Sequence, residues 1–209
     1  MTIPQIIATR GIEEILHFTT NKGLIGILAS RSLKSRKRLP KDKYLEHVYS
    51  ANCKTRRDVA WLDYVNLSIT DIDARLFEIS SDKWHKDKDV WWCILAFASG
   101  ILDHPDVHLS TTNNMYSGVK RGTGGQGLEA LFKDRIHQYE GRYITRSPEH
   151  LPNQPTDPQA EVLYPGEVST KHLKKVYVVG NMHRDTAKAM LSSVDHEELP
   201  IEKDPGKFR

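Results

Sequence analysis

The run at 91–98, Trp-Trp-Cys-Ile-Leu-Ala-Phe-Ala, constrains the fold more than any other segment. It offers no alternation between apolar and polar positions, so it suits a central strand covered on both faces. Shorter apolar pieces surround it. Residues 15–18, 64–69, 107–110, 161–164 and 175–179 read as further strands. After the first of these, Thr19-Thr20-Asn21 forms a turn or helix cap, and Leu24, Ile27 and Leu28 follow at helical spacing to about Ser30. Helices are also expected at 44–57, from an Asp71 cap through Ile79, at 128–139 and at 184–193. Many short strands with few helices, and no crossover pattern of a parallel sheet, give an α+β fold built on antiparallel sheet.

The segments between are read as loops. Residues 31–43 show little periodicity, and the glycines of 122–127 suggest a flexible linker or local insertion. Pro148, Pro152, Pro155 and Pro158 rule out regular helix or central strand across 140–160, which becomes a long ordered loop. Loops of that length inside compact domains are often functional. The polar tail after Glu197 is expected to fray.

A length of 209 residues with 38% hydrophobic content suits a single domain over 1–209. Its core would occupy about 15–180, with a C-terminal helix and tail at 181–209. No apolar run approaches the roughly 18 residues needed to cross a bilayer, so no membrane association is expected. The opening lacks a basic stretch followed by a long apolar one, and Cys53 and Cys93 are too few for a disulfide scaffold. The expectation is a soluble cytoplasmic protein. The net charge of +3 is modest but unevenly spread. Arg31, Lys34, Arg36, Lys37, Arg38, Lys41 and Lys43 form one basic stretch; Lys120, Arg121, Lys133, Arg135, Arg142 and Arg146 form another. Each alone is ordinary solvated surface; two on one small protein suit a nucleic-acid partner.

Several chemistries lack their signatures. The glycine segment has no Lys-Ser/Thr ending of a phosphate-binding loop. The ten histidines form no paired metal-ligand spacing, so no metal is expected, and no nucleophile elbow is present.

Three separated pieces remain: His17-Phe18-Thr19 followed by Asn21; Lys54-Thr55-Arg56-Arg57 ahead of Asp63-Tyr64-Val65-Asn66; and Gln159-Ala160-Glu161-Val162-Leu163-Tyr164. In this order and spacing, with the polar Thr111-Thr112-Asn113-Asn114 between, the chain resembles the DarT-like DNA ADP-ribosyltransferases, toxins of toxin–antitoxin modules. The resemblance implies an ADP-ribosyltransferase-like core of two packed, mainly antiparallel sheets with peripheral short helices and long loops. It implies NAD as co-substrate, a base in single-stranded DNA as acceptor, and an antitoxin partner carrying a macrodomain.

Residue roles follow from the same resemblance. Glu161 becomes the principal catalytic residue, because a carboxylate beside the ribose gains strength as oxocarbenium charge develops. Arg57, or its neighbour Arg56, matches the essential arginine; Arg57 is preferred as the one closer to the Asp63-Tyr64 strand, with Arg56 then a cofactor ligand. His17, Thr19 and, less centrally, Asn21 take the nicotinamide side of NAD. Tyr143 and Arg146 become supports for the DNA, in the loop ahead of the glutamate where this fold reads its acceptor. The chain departs from the family where Arg31-Ser32 stands in place of the glycine that usually ends the helix after His17-Phe18-Thr19. Thymine and guanine stay open as acceptors. The alternatives are an RNA-directed ADP-ribosyltransferase, an NAD-dependent 2′-phosphotransferase, or a catalytically silent nucleic-acid-binding domain.

Overall fold

A computed structural model describes residues 1–39, 59–84 and 88–209. The strands are β1 (Glu14–Thr20), β2 (Ser32–Lys34), β3 (Tyr64–Ile69), β4 (Trp92–Ala98), β5 (His108–Ser110) and β6 (Arg121–Gly122). They continue as β7 (Arg135–Tyr139), β8 (Arg142–Thr145), β9 (Glu161–Pro165), β10 (Glu167–Ser169), β11 (Leu173–Val178) and β12 (Ile201–Lys203). The α-helices are α1 (Ile3–Arg10), α2 (Asn21–Ser30), α3 (Ala74–Ile79), α4 (Gly124–Ala130) and α5 (Asn181–Ser193).

Eight strands form one sheet in the order β12-β11-β4-β1-β3-β9-β5-β6, antiparallel except where β12 joins β11. Strand β4 lies inside it, laddered to β1 from Glu14↔Ala98 to Thr20↔Trp92 and to β11 on its other edge. Cys93 to Phe97 are fully buried, which accounts for the unbroken apolar run. On one face Ile15, Leu67, Leu95, Phe97 and Val162 join the main core with Ile6 of α1, Leu24 and Leu28 of α2, Leu128 of α4 and Leu191 of α5. On the other, Leu16, Ile94, Ala96 and Tyr177 pack with Phe18, Phe77 and Phe208. The α+β architecture therefore stands, with the two anticipated sheets appearing as halves of one sheet.

Helix α2 ends without a glycine. Arg31 takes the left-handed conformation, φ 58°, where a glycine would be easier. Beyond it, the expected loop at 31–43 holds a strand instead. Ser32–Lys34 pairs with Glu167–Ser169, its Leu33 and Val168 covered by the core. The helix expected at 44–57 lies outside the described residues.

Other expectations are corrected. Asp73, not Asp71, caps α3, accepting from the Leu76 amide at 3.0 Å, while Asp71 accepts from the Gln154 side chain. The helix expected over 128–139 stops at Ala130. Ile136 and Gln138 are buried on alternate positions of a strand, so the period changes from helical to two. That strand forms a hairpin with Arg142–Thr145, shortening the long loop. The glycines of 122–127 are ordered rather than a free linker, because β6 and the first turn of α4 press together there. The tail does not fray. Ile201–Lys203 adds a parallel strand, Phe208 meets Phe77 edge-on at 5.6 Å, and Lys207 lies 3.9 Å from Glu14. Glu14 is itself buried and accepts from the Tyr177 hydroxyl, which burial and this carboxylate push well above its ordinary pKa.

A methyl group on Gly127 would sit 2.6 Å from the carbonyl carbon of Gly122, a backbone neighbour that cannot rotate away. Gly127→Ala should therefore lower unfolding free energy by about 2 kcal/mol in urea titrations, an overpacking cost. A midpoint equal to that of the parent would contradict the close approach.

Candidate functional site

The sheet is weakest in its middle. Strands β1 and β3 share only the pairs Ile15↔Ile69 and Leu16↔Ser68, although β1 runs on to Thr20 against β4. From residue 17 onward the two strands fork. The imidazole of His17 spans the opening, with Nδ1 3.0 Å from the Asn66 carbonyl oxygen. A carbonyl only accepts, so Nδ1 carries the proton and Nε2 is left as an acceptor on a neutral ring. Burial pushes the His17 pKa below its usual 6.5, which favours that neutral form, and the Asn66 contact opposes it in part.

Thr19 lies two residues along, on the same side of β1. Helix α2 approaches it closely, since a Cβ on Gly23 would collide with the Thr19 hydroxyl. Thr20 caps that helix by accepting from the Gly23 amide at 3.2 Å. Asn21 is committed to backbone: it donates to the Asp89 carbonyl at 3.0 Å and accepts from the Trp91 amide at 3.2 Å. Its side chain thus pins the segment entering β4.

Glu161 opens β9 opposite Ser110 and is half-buried. One carboxylate oxygen, Oε2, accepts from the Asn114 amide at 3.2 Å. The next residue, Val162, belongs to the main core, so Glu161 points to the other face of the sheet. His17 and Glu161 are linked through one strand: His17 contacts Asn66, and Asn66 pairs with Leu163, two residues beyond Glu161. By strand alternation His17 belongs to the main-core side and Glu161 to the opposite side.

The acceptor-side residues separate. Tyr143 is exposed on the β7–β8 hairpin, stacked on His137 at 4.7 Å and beneath the Arg135 guanidinium at 3.9 Å. It lines a cavity of about 380 Å³ with Arg75, Gln138, Arg142, Asp157 and Gln159. Arg146 is not part of that cavity's wall. Its guanidinium donates to the carbonyls of Gln154 and Leu151 at 2.8 and 2.7 Å and braces the proline-rich loop. Arg56 and Arg57 lie outside the described residues. Sequence reasoning missed Asn114 and Arg121 as site neighbours. Arg121 holds Asn114 through Nε to Oδ1 at 2.6 Å and Nη2 to the main-chain oxygen at 2.7 Å. The polar 111–114 segment was the available signal for the first of them. Among the described residues no group of three or more His, Cys, Asp or Glu is placed to hold a metal ion, and no helix is long and apolar enough to cross a membrane.

The family model for DarT, ssDNA thymidine ADP-ribosyltransferase, matches residues 16–209. No curated sequence matches the chain significantly. Solved structures with the same fold include Thermus sp. 2.9 DarT in complex with NAD+, at a TM-score of 0.65 and 13% identity, covering 94% of this chain and 98% of that one. The Thermus protein in complex with ADP-ribosylated ssDNA gives 0.64 and 12%, covering 95% and 97%. Thermosipho africanus DarTG in complex with ADP-ribose gives 0.59 and 15%, covering 94% of this chain and 51% of that one. The chain thus spans about half the length of the Thermosipho protein.

The neutral state of His17 has a consequence for stability. Its folded pKa lies below the unfolded value of 6.5, so the unfolded chain binds the extra proton between the two. Unfolding free energy should therefore fall as pH drops below about 6.5 and level off below the folded pKa. His17→Asn does not titrate and keeps a donor for the Asn66 carbonyl. Urea midpoints between about pH 8 and about pH 5 should show a shallower acid slope for this variant, by up to about one proton. His172, also held below its usual value by burial, contributes to the slope that remains. An identical slope in parent and variant would contradict the assigned state of His17.

Proposed function

This chain belongs to the DarT family of ssDNA thymidine ADP-ribosyltransferases, and from that premise we propose that it moves ADP-ribose from NAD to thymidine bases of single-stranded DNA. The family match over 16–209 carries this reading, because it encloses the fork at His17 and the carboxylate at Glu161 in one framework. The ligands of the structural neighbours, NAD+ in one Thermus complex and ADP-ribosylated ssDNA in the other, support the same pair of substrates here.

In this reading NAD lies through the fork between β1 and β3. Nε2 of His17 accepts a hydrogen bond from the nicotinamide-side ribose or amide, and the Thr19 hydroxyl adds a second contact. Asn21 supports them by fixing the chain that enters β4. The bond from ribose C1′ to nicotinamide breaks with its electron pair passing to the nicotinamide ring, which leaves neutral. Positive charge grows on the ribose, and Glu161, hydrogen-bonded to a ribose hydroxyl, stabilises it electrostatically. A ring nitrogen of the base then bonds to C1′ and its proton passes to solvent water. Arg57, with Arg56 beside it, takes the family's arginine duties at the pyrophosphate and the base. No metal enters these steps, since the leaving group departs with its own charge balanced.

Single-stranded DNA presents a base without the cost of unpairing. Tyr143, its ring held between His137 and Arg135 and beside Arg142, supplies an exposed aromatic edge and neighbouring cations next to Gln159, two residues before Glu161. Arg146 acts on the DNA through the loop it braces. The cellular setting that fits is a cytoplasmic toxin, one catalytic domain over 1–209, restrained by an antitoxin whose macrodomain removes the ADP-ribose.

Short oligonucleotides incubated with NAD and weighed by mass spectrometry test the reading. ADP-ribose should appear on thymidine-containing single strands and not on duplex DNA. Glu161→Ala should cut the rate by on the order of 10³-fold with melting temperature retained. Modification of RNA in preference to DNA, or full activity in the variant, would overturn it.

A further inference from the structure

Glu161 carries its carboxylate on the rim of a loop, and the geometry of that loop is set from a distance. Its amide contact comes from Asn114, within the 111–120 connection between β5 and β6. The base of the connection is closed by Thr111 and Lys120, whose amide-to-carbonyl bond measures 3.0 Å, with the Lys120 amide also donating to the Thr111 hydroxyl at 3.1 Å. Above that closure a single side chain grips Asn114. Arg121 reaches it with two parallel donors, one to the side-chain oxygen and one to the main-chain oxygen, and its guanidinium also lies 5.2 Å over the Trp61 ring. Ser110 pairs with both Arg121 and Glu161, so the two side chains project from the same face of the sheet with Asn114 between them.

Two features set this chain of contacts apart from ordinary packing. The fork of Arg121 holds the side-chain oxygen and the main-chain carbonyl of one residue, and so fixes the Cα from which the N–H aimed at Glu161 projects, one peptide plane away. Asn114 is also almost fully buried, and its Nδ2 has no hydrogen-bond partner. A buried donor left unpaired is costly, and such a cost is tolerated where the position of the residue matters more than its own satisfaction.

We infer that Arg121 is a positioning residue for the transfer reaction, acting through Asn114 to hold the Glu161 carboxylate in its reactive orientation. This rests on the proposed role of Glu161. The effect of Arg121 is on the placement of the group that stabilises the ribose cation, through its two bonds to Asn114. Loss of the fork lets Asn114 rotate and the carboxylate drift, which weakens stabilisation of the transition state more than binding of the ground state.

The test is steady-state kinetics on the full chain with NAD and a thymidine-containing single strand, comparing the parent with Arg121→Ala, Arg121→Lys and Glu161→Ala. Arg121→Ala should lose on the order of 10²-fold in kcat, as a misplaced catalytic group does, while KM for NAD stays within about twofold. Free guanidinium at millimolar concentration should restore part of the lost rate to Arg121→Ala and none to Glu161→Ala. Arg121→Lys keeps the charge and stem but not the fork, so it should fold like the parent and remain slow. A kcat near that of the parent in Arg121→Lys, or a loss in Arg121→Ala that resides in KM, overturns the positioning role. An active parent with a fully active Glu161→Ala overturns the assignment of Glu161 itself, and a parent that modifies no DNA overturns both.

Discussion

The contact between the His17 imidazole and the Asn66 carbonyl marks the place where a continuous sheet stops being continuous. Neighbouring strands normally satisfy every facing amide and carbonyl, and an inner strand that fails to do so must find substitutes. Here β1 keeps its full ladder on the β4 side and gives up most of it on the β3 side. A side chain takes over one of the vacated acceptors. The fold is stable around this gap because both halves are anchored elsewhere: one by β4 and β11 between two apolar faces, the other by β9 and β5 over the main core.

The gap also sorts the chemistry. Residues on β1 beyond the last shared pair border it directly, while the start of β9 lies across β3, with Glu161 on the opposite face of the sheet. The segments around them are held by specific hydrogen bonds rather than by regular structure. Asn21 clamps the entry to β4, Arg146 braces the proline-rich loop, and Arg121 grips the 111–120 connection. Four basic residues of the second cluster, Arg121, Arg135, Arg142 and Arg146, are engaged with local side chains, carbonyls or rings. The basic surface is thus partly internal scaffolding, and its capacity for phosphates is smaller than the count of charges suggests.

Much of this was legible in the sequence where a single physical rule dominates. The run at 91–98 had to be covered on both faces, and β4 is. A turn or helix cap was expected within Thr19-Thr20-Asn21, and Thr20 supplies the cap. A strand was expected over 161–164, and β9 opens at Glu161. The reading failed where local pattern and tertiary partner disagree. Leu128, Leu131, Phe132 and Ile136 fit a helix, but only the first part is one, because Gln138 finds a buried partner in Asp157 and draws its strand across the loop. The tail looked too polar to fold, yet Lys207 and Phe208 reach Glu14 and Phe77 far away in sequence. Arg121 was visible only as one more basic residue, since no local rule reports that its partner is the residue holding Glu161.

The central claim is that one ligand passes through the opening between β1 and β3 and is met there by His17 on one side and Glu161 on the other. A crystal structure of Glu161→Gln soaked with NAD and trapped before transfer tests it most directly. The account predicts nicotinamide beside the His17 ring and a ribose hydroxyl within about 3 Å of the side chain at 161. Density for NAD lying elsewhere, with the fork closed and that side chain facing solvent, would contradict it.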